Sequence, residues 1–185
     1  MTGAEQPLRI LQVISSAAQS GAERHCVDLC RHLRSQGHFV WAAVPTNSWL
    51  SDELSELSIP HIGCEFKQFG GAASALDIHR LIRKEKIDIV HSHLSRATLQ
   101  AAVSTRSAGA AHAATVHIRS ADLAYRLASR PRGRIVAVSK FIKETLVAGG
   151  VADSRISVVY NGSEFGQGIA ASHGVLRAEL GLPES

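Results

Sequence analysis

The sequence predicts an α/β fold, a three-layer sandwich in which a mostly parallel sheet lies between two layers of helices. Short apolar runs typical of strands alternate with longer amphipathic runs typical of helices along almost all of the 185 residues. Two of the short runs, 87–90 and 135–138, are largely apolar without a strict polar alternation, as strands buried on both faces are. Such an order favours right-handed strand–helix–strand crossovers, which produce parallel strands.

Seven apolar runs are predicted as strands. They cover residues 8–14, 39–44, 62–66, 87–92, 113–116, 134–138 and 156–160. Polar residues follow several of them, among them His93, His117 and Asn161. Because the carboxyl ends of parallel strands lie along one edge of a sheet, where ligands of this architecture bind, we expect these residues at a ligand-binding edge.

The segments between the strands are predicted as six helices. They cover residues 22–36, 49–58, 72–86, 96–108, 121–129 and 140–148. Gly37 ends the first helix, and Gly149 and Gly150 end the last, as glycines at helix C-termini commonly do. In the first helix, the apolar stripe that faces the sheet includes Cys26 and Cys30.

The chain is predicted to form one domain over residues 1–165. Residues 166–185 are predicted as a linker, or as the start of a crossover to a C-terminal domain that the sequence lacks. Residues 166–172 have the composition of a loop, and residues 175–180 have the pattern of a short helix. No strand follows to continue the alternation.

Composition and charge exclude several classes of partner and location. The formal charge of +4 is compatible with binding phosphates or an anionic membrane face. The basic clusters have no interleaved aromatic residues for stacking on bases, so nucleic acid is not expected as a partner. Without a signal peptide or an apolar run of membrane-spanning length, we expect a soluble cytoplasmic protein, with peripheral contact at the inner membrane face left open.

The three cysteines, Cys26, Cys30 and Cys64, are too few and odd in number for a disulfide framework, and we expect them to be reduced. A metal site built from His25, Cys26, Cys30 and His32 is disfavoured, because His25 and Cys26 point in different directions on a helix. No acidic DxD-like motif follows a strand either. We therefore expect no bound metal.

The turn after the first strand is a candidate phosphate site. The chain passes through Ser20, Gly21 and Glu23 directly into the first helix. A glycine there lets backbone N–H groups approach an anion, and the positive end of the helix dipole favours negative charge. The alternative is a tight strand-to-helix connection without a ligand. The sequence has neither G-x-G-x-x-G nor a Walker A motif, which argues against a nicotinamide-dependent dehydrogenase or epimerase and against an NTPase.

Histidines are candidate site residues at two of the other strand ends. We expect His91 and His93 to face opposite sides of the sheet, so that His93 lines a ligand-binding cleft at this edge and His91 is a core histidine. His117 ends its strand near Arg119, and it is either a cleft residue or a solvent-facing loop residue. Arg119 would bind a phosphate or carboxylate, or form a surface ion pair.

Five short motifs in fixed order give the sequence a family resemblance. They are Gly-Ala-Glu at 21–23, Asp-Ile-Val-His-Ser-His at 88–93, Thr-Val-His at 115–117, Ile-Val-Ala-Val-Ser at 135–139 and Val-Val-Tyr-Asn-Gly at 158–162. Together they resemble the N-terminal domain of GT-B glycosyltransferases of family 4, over residues 8–182. Two departures stand out, since Ser20 replaces a glycine of the family's first turn and the interval between residues 117 and 134 is short.

The resemblance implies a Rossmann-like domain, the N-terminal half of a GT-B fold, which mainly holds the acceptor across a cleft from a donor-binding domain. It implies that Gly21 approaches the donor diphosphate and that His93 and His117 lie near the sugar or acceptor. His117 is the predicted catalytic residue. The predicted residues for binding the donor diphosphate or the acceptor are Gly21, Glu23, His93, Arg119 and Asn161.

The resemblance further implies transfer of a sugar from a nucleotide-diphosphate donor to a small-molecule, glycan or lipid acceptor, without a cofactor or metal. The family's donor-binding residues have no counterpart after Asn161, so the chain is expected to be inactive alone. A C-terminal domain on a separate chain would complete it. The alternative is a non-catalytic binding module or a partner subunit of a split glycosyltransferase.

Overall fold

The computed structural model describes residues 6–66, 71–120 and 122–162, and these form one seven-stranded sheet. The strands are β1 (Arg9–Ile14), β2 (Phe39–Pro45), β3 (His61–Cys64), β4 (Ile89–His93), β5 (Ala111–Val116), β6 (Gly133–Ala137) and β7 (Ile156–Val158). Their order is β3-β2-β1-β4-β5-β6-β7, and each neighbouring pair is parallel. The predicted α/β fold is therefore confirmed.

Six helices connect the strands. They are α1 (Gly21–Ser35), α2 (Trp49–Glu56), α3 (Ala72–Lys84), α4 (Ser95–Ala108), α5 (Leu123–Ala128) and α6 (Lys140–Ala148). A short 3₁₀ turn, Asp153–Arg155, precedes β7 and was not predicted. The predicted linker at 166–185 lies outside the described residues.

The helices cover the sheet in two layers. On one face, α1 and α2 pack on a core that includes Ile14, Val40 and Val44. On the other face, α3 and α4 pack on Leu11 and Val90, and α5 and α6 continue the same layer toward β7. Cys26 and Cys30 are buried beneath α1, as the stripe of apolar residues predicts, and all three cysteines are free.

The order of the strands places a crevice beside β1. The chain runs from β1 outward through β2 to β3, then returns through α3 to β4 on the opposite side of β1. The connections after β1 and β4 therefore leave toward opposite faces of the sheet. In open α/β sheets, ligands bind at this kind of switch point, outside the carboxyl ends of the strands.

No helix among the described residues is both long enough and apolar enough to cross a membrane.

Candidate functional site

A row of polar side chains lies on one face of the sheet beside the switch point. In the parallel register, Gln12 of β1 pairs with His91 of β4, and His93 pairs with Thr115 of β5. Paired positions in adjacent strands project their side chains to the same face. The row therefore lies on the face covered by α1, and it ends at the carboxyl edge of the sheet.

The prediction that His91 and His93 face opposite sides of the sheet is wrong. Side chains alternate along a strand with a period of two, so residues 91 and 93 share a face. Their ring centroids lie 4.5 Å apart. His91 Nε2 is 2.7 Å from Thr115 Oγ1, and burial, assisted by the neighbouring imidazoles, lowers the pKa of His91 to about 3. His91 is therefore a neutral member of the same row.

His93 links the row to His117. Its Nε2 lies 2.9 Å from Gln12 Oε1, and its Nδ1 lies 3.2 Å from His117 Nε2. The side chain of His93 is fully buried, whereas His117, just beyond β5, is partly exposed. His93 thus lies behind His117 and does not itself reach the surface of the edge.

These contacts determine which nitrogen of each ring carries the proton. Because Gln12 Oε1 can only accept, His93 Nε2 carries the proton of that bond. Burial lowers the pKa of His93 well below its usual value, so the ring is neutral and its Nδ1 accepts from His117 N–H. Burial also lowers the pKa of His117 to about 4, an effect that His25 strengthens and Glu23 opposes. At neutral pH, Nδ1 of His117 therefore keeps its lone pair.

His25 completes a group of three imidazoles. It lies in the second turn of α1, and its ring centroid is 5.1 Å from that of His117 and 5.7 Å from that of His93. One ring nitrogen from each histidine lies within 4.8 Å of those of the other two. Burial lowers the pKa of His25 as well. The three rings form a neutral cluster, which we call the histidine trio.

The start of α1 lies next to this trio and carries its own acidic cap. Ser20 precedes the helix, and Gly21 is its first residue. The backbone N–H of Ser20 donates to the Glu23 carboxylate over 3.1 Å, and the Ser20 hydroxyl also donates to it. Burial would raise the pKa of Glu23, but hydrogen bonds from Ser16, Ser20 and the backbone lower it overall. Glu23 is thus a buried carboxylate that stabilises this turn.

Two of the predicted site residues lie apart from the trio. Arg119 is exposed two residues beyond His117, with no ion pair to another described residue. Asn161 is exposed beyond β7, which is three strands away from β4, a separation of about 14 Å at the usual strand spacing. The structure therefore brings together Glu23, His93 and His117, but it places Asn161 at the far end of the edge.

A pocket of about 480 Å³ opens at the opposite end of the sheet. It lies between α4 and α5, and Gly109, His112 and Gly133 at the amino ends of β5 and β6 line it. His112 is buried and lies 2.9 Å from Ser92 Oγ, on the face opposite to the trio. This pocket is separate from the candidate site.

Sequence reasoning missed two members of the network, Gln12 and Thr115, and it connected His25 only with the cysteines. Gln12 is the one polar residue within the apolar core of β1, and it is fully buried. A buried amide in such a strand requires a partner, and this could have pointed to a polar contact at the neighbouring strand end. His25 and Thr115 gave no comparable signal.

Solved structures share the fold over most of this chain. A glycosyltransferase from Rickettsia africae superimposes with a TM-score of 0.76 at 20% identity, over 97% of this chain and 51% of its own. HepE from Anabaena, solved with UDP and glucose, superimposes with a TM-score of 0.74 at 18% identity, over 94% of this chain and 50% of its own. The UDP-GlcNAc 2-epimerase from Neisseria meningitidis, solved with UDP-GlcNAc, superimposes with a TM-score of 0.61 at 14% identity, over 82% of this chain and 46% of its own. The chain thus spans about half the length of each.

These identities are low enough that the structural likeness shows the fold alone. No curated protein matches the sequence. The model of the family described as Glycosyltransferase Family 4 matches residues 19–164, which include α1, the switch point and the whole histidine trio. The chain therefore belongs to glycosyltransferase family 4, with the architecture of the N-terminal half of a GT-B fold.

Proposed function

We propose that this chain is the acceptor-side domain of a glycosyltransferase that transfers a sugar from a nucleoside-diphosphate donor to a small-molecule, glycan or lipid acceptor. One observation carries the proposal. His117 lies at the carboxyl edge beside the switch point, and buried His93 fixes its tautomer. The UDP found in HepE supports a nucleotide sugar as the class of donor.

His117 would orient the acceptor. At neutral pH, its Nδ1 lone pair can accept a hydrogen bond from an acceptor hydroxyl and draw off the proton as the new glycosidic bond forms. His93 and Gln12 are positioning residues, because they hold the imidazole in the tautomer that leaves Nδ1 unprotonated. Transfer of this kind requires no cofactor or metal from this chain.

The departing diphosphate would need positive charge or N–H donors. In this chain the candidates are the start of α1 at Gly21 and the exposed guanidinium of Arg119. The carboxylate of Glu23 already occupies one N–H donor of that turn, which limits how much of a diphosphate this domain can hold by itself. The donor's nucleotide would therefore be bound mainly by a second domain.

Several apolar side chains are exposed at the carboxyl edge of the sheet. They follow β5, β6 and β7 or begin the helices after them, and more than half of each is exposed: Ile118, Leu123, Phe141, Val159 and Tyr160. A group of large apolar residues exposed at one edge is typical of a surface that another domain or a lipid acceptor covers. We infer that the chain alone does not complete the active site.

A non-catalytic partner subunit is the second candidate. The observation in its favour is that His93 and its partner Gln12 are fully buried, as polar side chains that only stabilise a fold can be. In that case the donor half would bring its own catalytic groups, and the histidines would only shape the fold.

A transfer assay distinguishes these functions. The chain, joined to or co-expressed with a family 4 donor-binding domain, is incubated with a panel of nucleotide sugars and acceptors, and the glycosylated product is measured. We expect product that disappears with His117→Ala and persists with His32→Ala, an exposed histidine on α1. Product that persists with His117→Ala would support the partner-subunit function instead.

A further inference from the structure

We propose that the histidine trio, His25, His93 and His117, is a binding site for a divalent transition-metal ion of the zinc type. It is the group of metal-ligating side chains that the described residues bring together. The ligands come from three separate elements, the second turn of α1, the end of β4 and the residue after β5. Their proximity is a product of the fold, and the spacing in the sequence does not reveal it.

The distance between the two inner nitrogens fits a metal ion. In a tetrahedral zinc site with Zn–N bonds of about 2.0–2.1 Å, two ligand nitrogens lie about 3.3 Å apart. Nδ1 of His93 and Nε2 of His117 are 3.2 Å apart. An ion could therefore bind between these nitrogens with little movement of either ring, and the proton that His117 Nε2 carries would move to Nδ1, so that the ring stays neutral.

The third ligand would come from His25. Its nitrogen lies within 4.8 Å of the other two, so an approach of at most about 1.5 Å would bring it to the nitrogen–nitrogen distance of a tetrahedral site. His25 is partly exposed on the surface of α1, so a small change of its side-chain torsions would close this gap. Three protein nitrogens would leave a fourth position for water.

The surroundings also suit an ion. Metal-binding imidazoles must be neutral, and burial keeps the pKa of each member below its usual value. The other nitrogen of His93 donates to Gln12 Oε1, as the outer nitrogens of metal-binding histidines commonly donate to an oxygen. His25 and His117 are partly exposed, and so an ion can enter from solvent.

A bound ion would engage Nε2 of His117 and leave the ring proton on Nδ1, which could then no longer accept the proton of an acceptor hydroxyl. We therefore expect zinc to inhibit sugar transfer, and a chelator to restore it. This consequence rests on the proposed function, whereas the binding of the ion does not.

Binding is measured on the purified chain without substrate. Equilibrium dialysis with Zn²⁺ should give one ion per chain, and Co²⁺ should give the visible absorption of a tetrahedral nitrogen site. Zinc at a hundred times its Kd should raise Tm by about 5–10 °C. All three readouts are independent of transfer activity.

Two variants of α1 form a matched pair for the test. His25→Ala should weaken zinc binding by more than the roughly 10–100-fold that the loss of an outer-shell partner costs, while its Tm without metal stays close to that of the wild type. His32→Ala should bind as the wild type does. His117→Ala provides a second loss-of-ligand variant. Stoichiometric binding that His25→Ala and His117→Ala leave unchanged, or no saturable binding at all, would overturn the proposal.

Discussion

At the scale of single residues, the proposed transfer depends on His117, which is partly exposed. Replacing it with alanine in a protein that includes the donor-binding domain should lower kcat by at least about 100-fold, the range expected for a positioned acid–base group. Tm should fall by only a few degrees. Steady-state kinetics and thermal unfolding measure both quantities. A collapse in Tm with an unchanged rate in the folded fraction would show that His117 is structural.

His112 provides a separate test of the buried imidazoles, away from the trio. Burial lowers its pKa from about 6.5 in the unfolded chain to about 4. Above pH 6.5, His112 is neutral in both the folded and the unfolded protein. As the pH falls toward 4, His112 binds a proton only in the unfolded protein. The free energy of unfolding should therefore fall over this interval, by up to about 3 kcal/mol from this residue.

Urea unfolding at pH 7.5 and pH 4.5 measures this loss. The lowered pKa values of His91 and His93 also make the stability of the wild type depend on pH, so the informative quantity is the difference between wild type and His112→Gln. We expect the wild type to lose about 2–3 kcal/mol more than the variant between the two pH values. Equal losses would mean that His112 is protonated as readily in the folded protein as in the unfolded one.

The sequence was sufficient to select His93 and His117 but not to describe their contacts. Both follow strands, and strand ends in a parallel sheet share an edge, so their proximity was predictable. The hydrogen bond to Gln12 depends on which strands are neighbours, and β1 and β4 are 75 or more residues apart in the chain. The prediction for His91 was wrong because adjacent residues of a strand face opposite sides of the sheet, whereas residues two apart, such as His91 and His93, face the same side.

At the scale of elements, the start of α1 depends on its acidic cap. Glu23 is almost fully buried, and it accepts from both the backbone and the hydroxyl of Ser20. Glu23→Ala should lower the free energy of unfolding by about 1–2 kcal/mol, or Tm by about 2–8 °C. Glu56→Gln, on the exposed end of α2, is the control and should change neither. An equal effect of both variants would exclude a specific role for the cap.

Two glycines at strand–helix junctions should respond in opposite ways to added side chains. A Cβ on Gly21 meets no atom within 4 Å, whereas one on Gly133 would lie 1.7 Å from the carbonyl oxygen of Ala128. Gly21→Val should therefore keep the fold but weaken diphosphate binding in the complete enzyme, because the side chain blocks the approach of an anion to the turn. Gly133→Ala should be strongly destabilised.

Thermal unfolding and titration with a nucleoside diphosphate test this pair. If Gly21→Val binds the diphosphate as tightly as the wild type, then the turn has no role in phosphate binding.

The existence and type of every described strand and each helix of α1–α6 were predictable, because short apolar runs differ clearly from longer amphipathic runs with a period of 3.6 residues. Their ends were less predictable. β5 begins at Ala111, two residues before the predicted start, because pairing with β4 extends it backwards. Which strands are neighbours in the sheet, and in which register they pair, depends on tertiary contacts that no local pattern encodes.

At the scale of the whole molecule, the switch point places the catalytic candidate and the start of α1 at one edge. We expect the chain to fold without a second domain, because α1–α6 bury the sheet's core from both faces. We expect sugar transfer to require a second domain, because a cleft that aligns donor and acceptor and excludes water is formed between two surfaces. We therefore propose that this chain forms one half of a glycosyltransferase active site.

The most direct measurement is a transfer assay on the purified 185 residues alone, with a panel of nucleotide sugars and with small-molecule, glycan and lipid acceptors. We expect a cooperative thermal melt and no glycosylated product, with product appearing once a donor-binding domain is supplied. Robust turnover by this chain alone would contradict the account, because it would require a complete donor site within these residues.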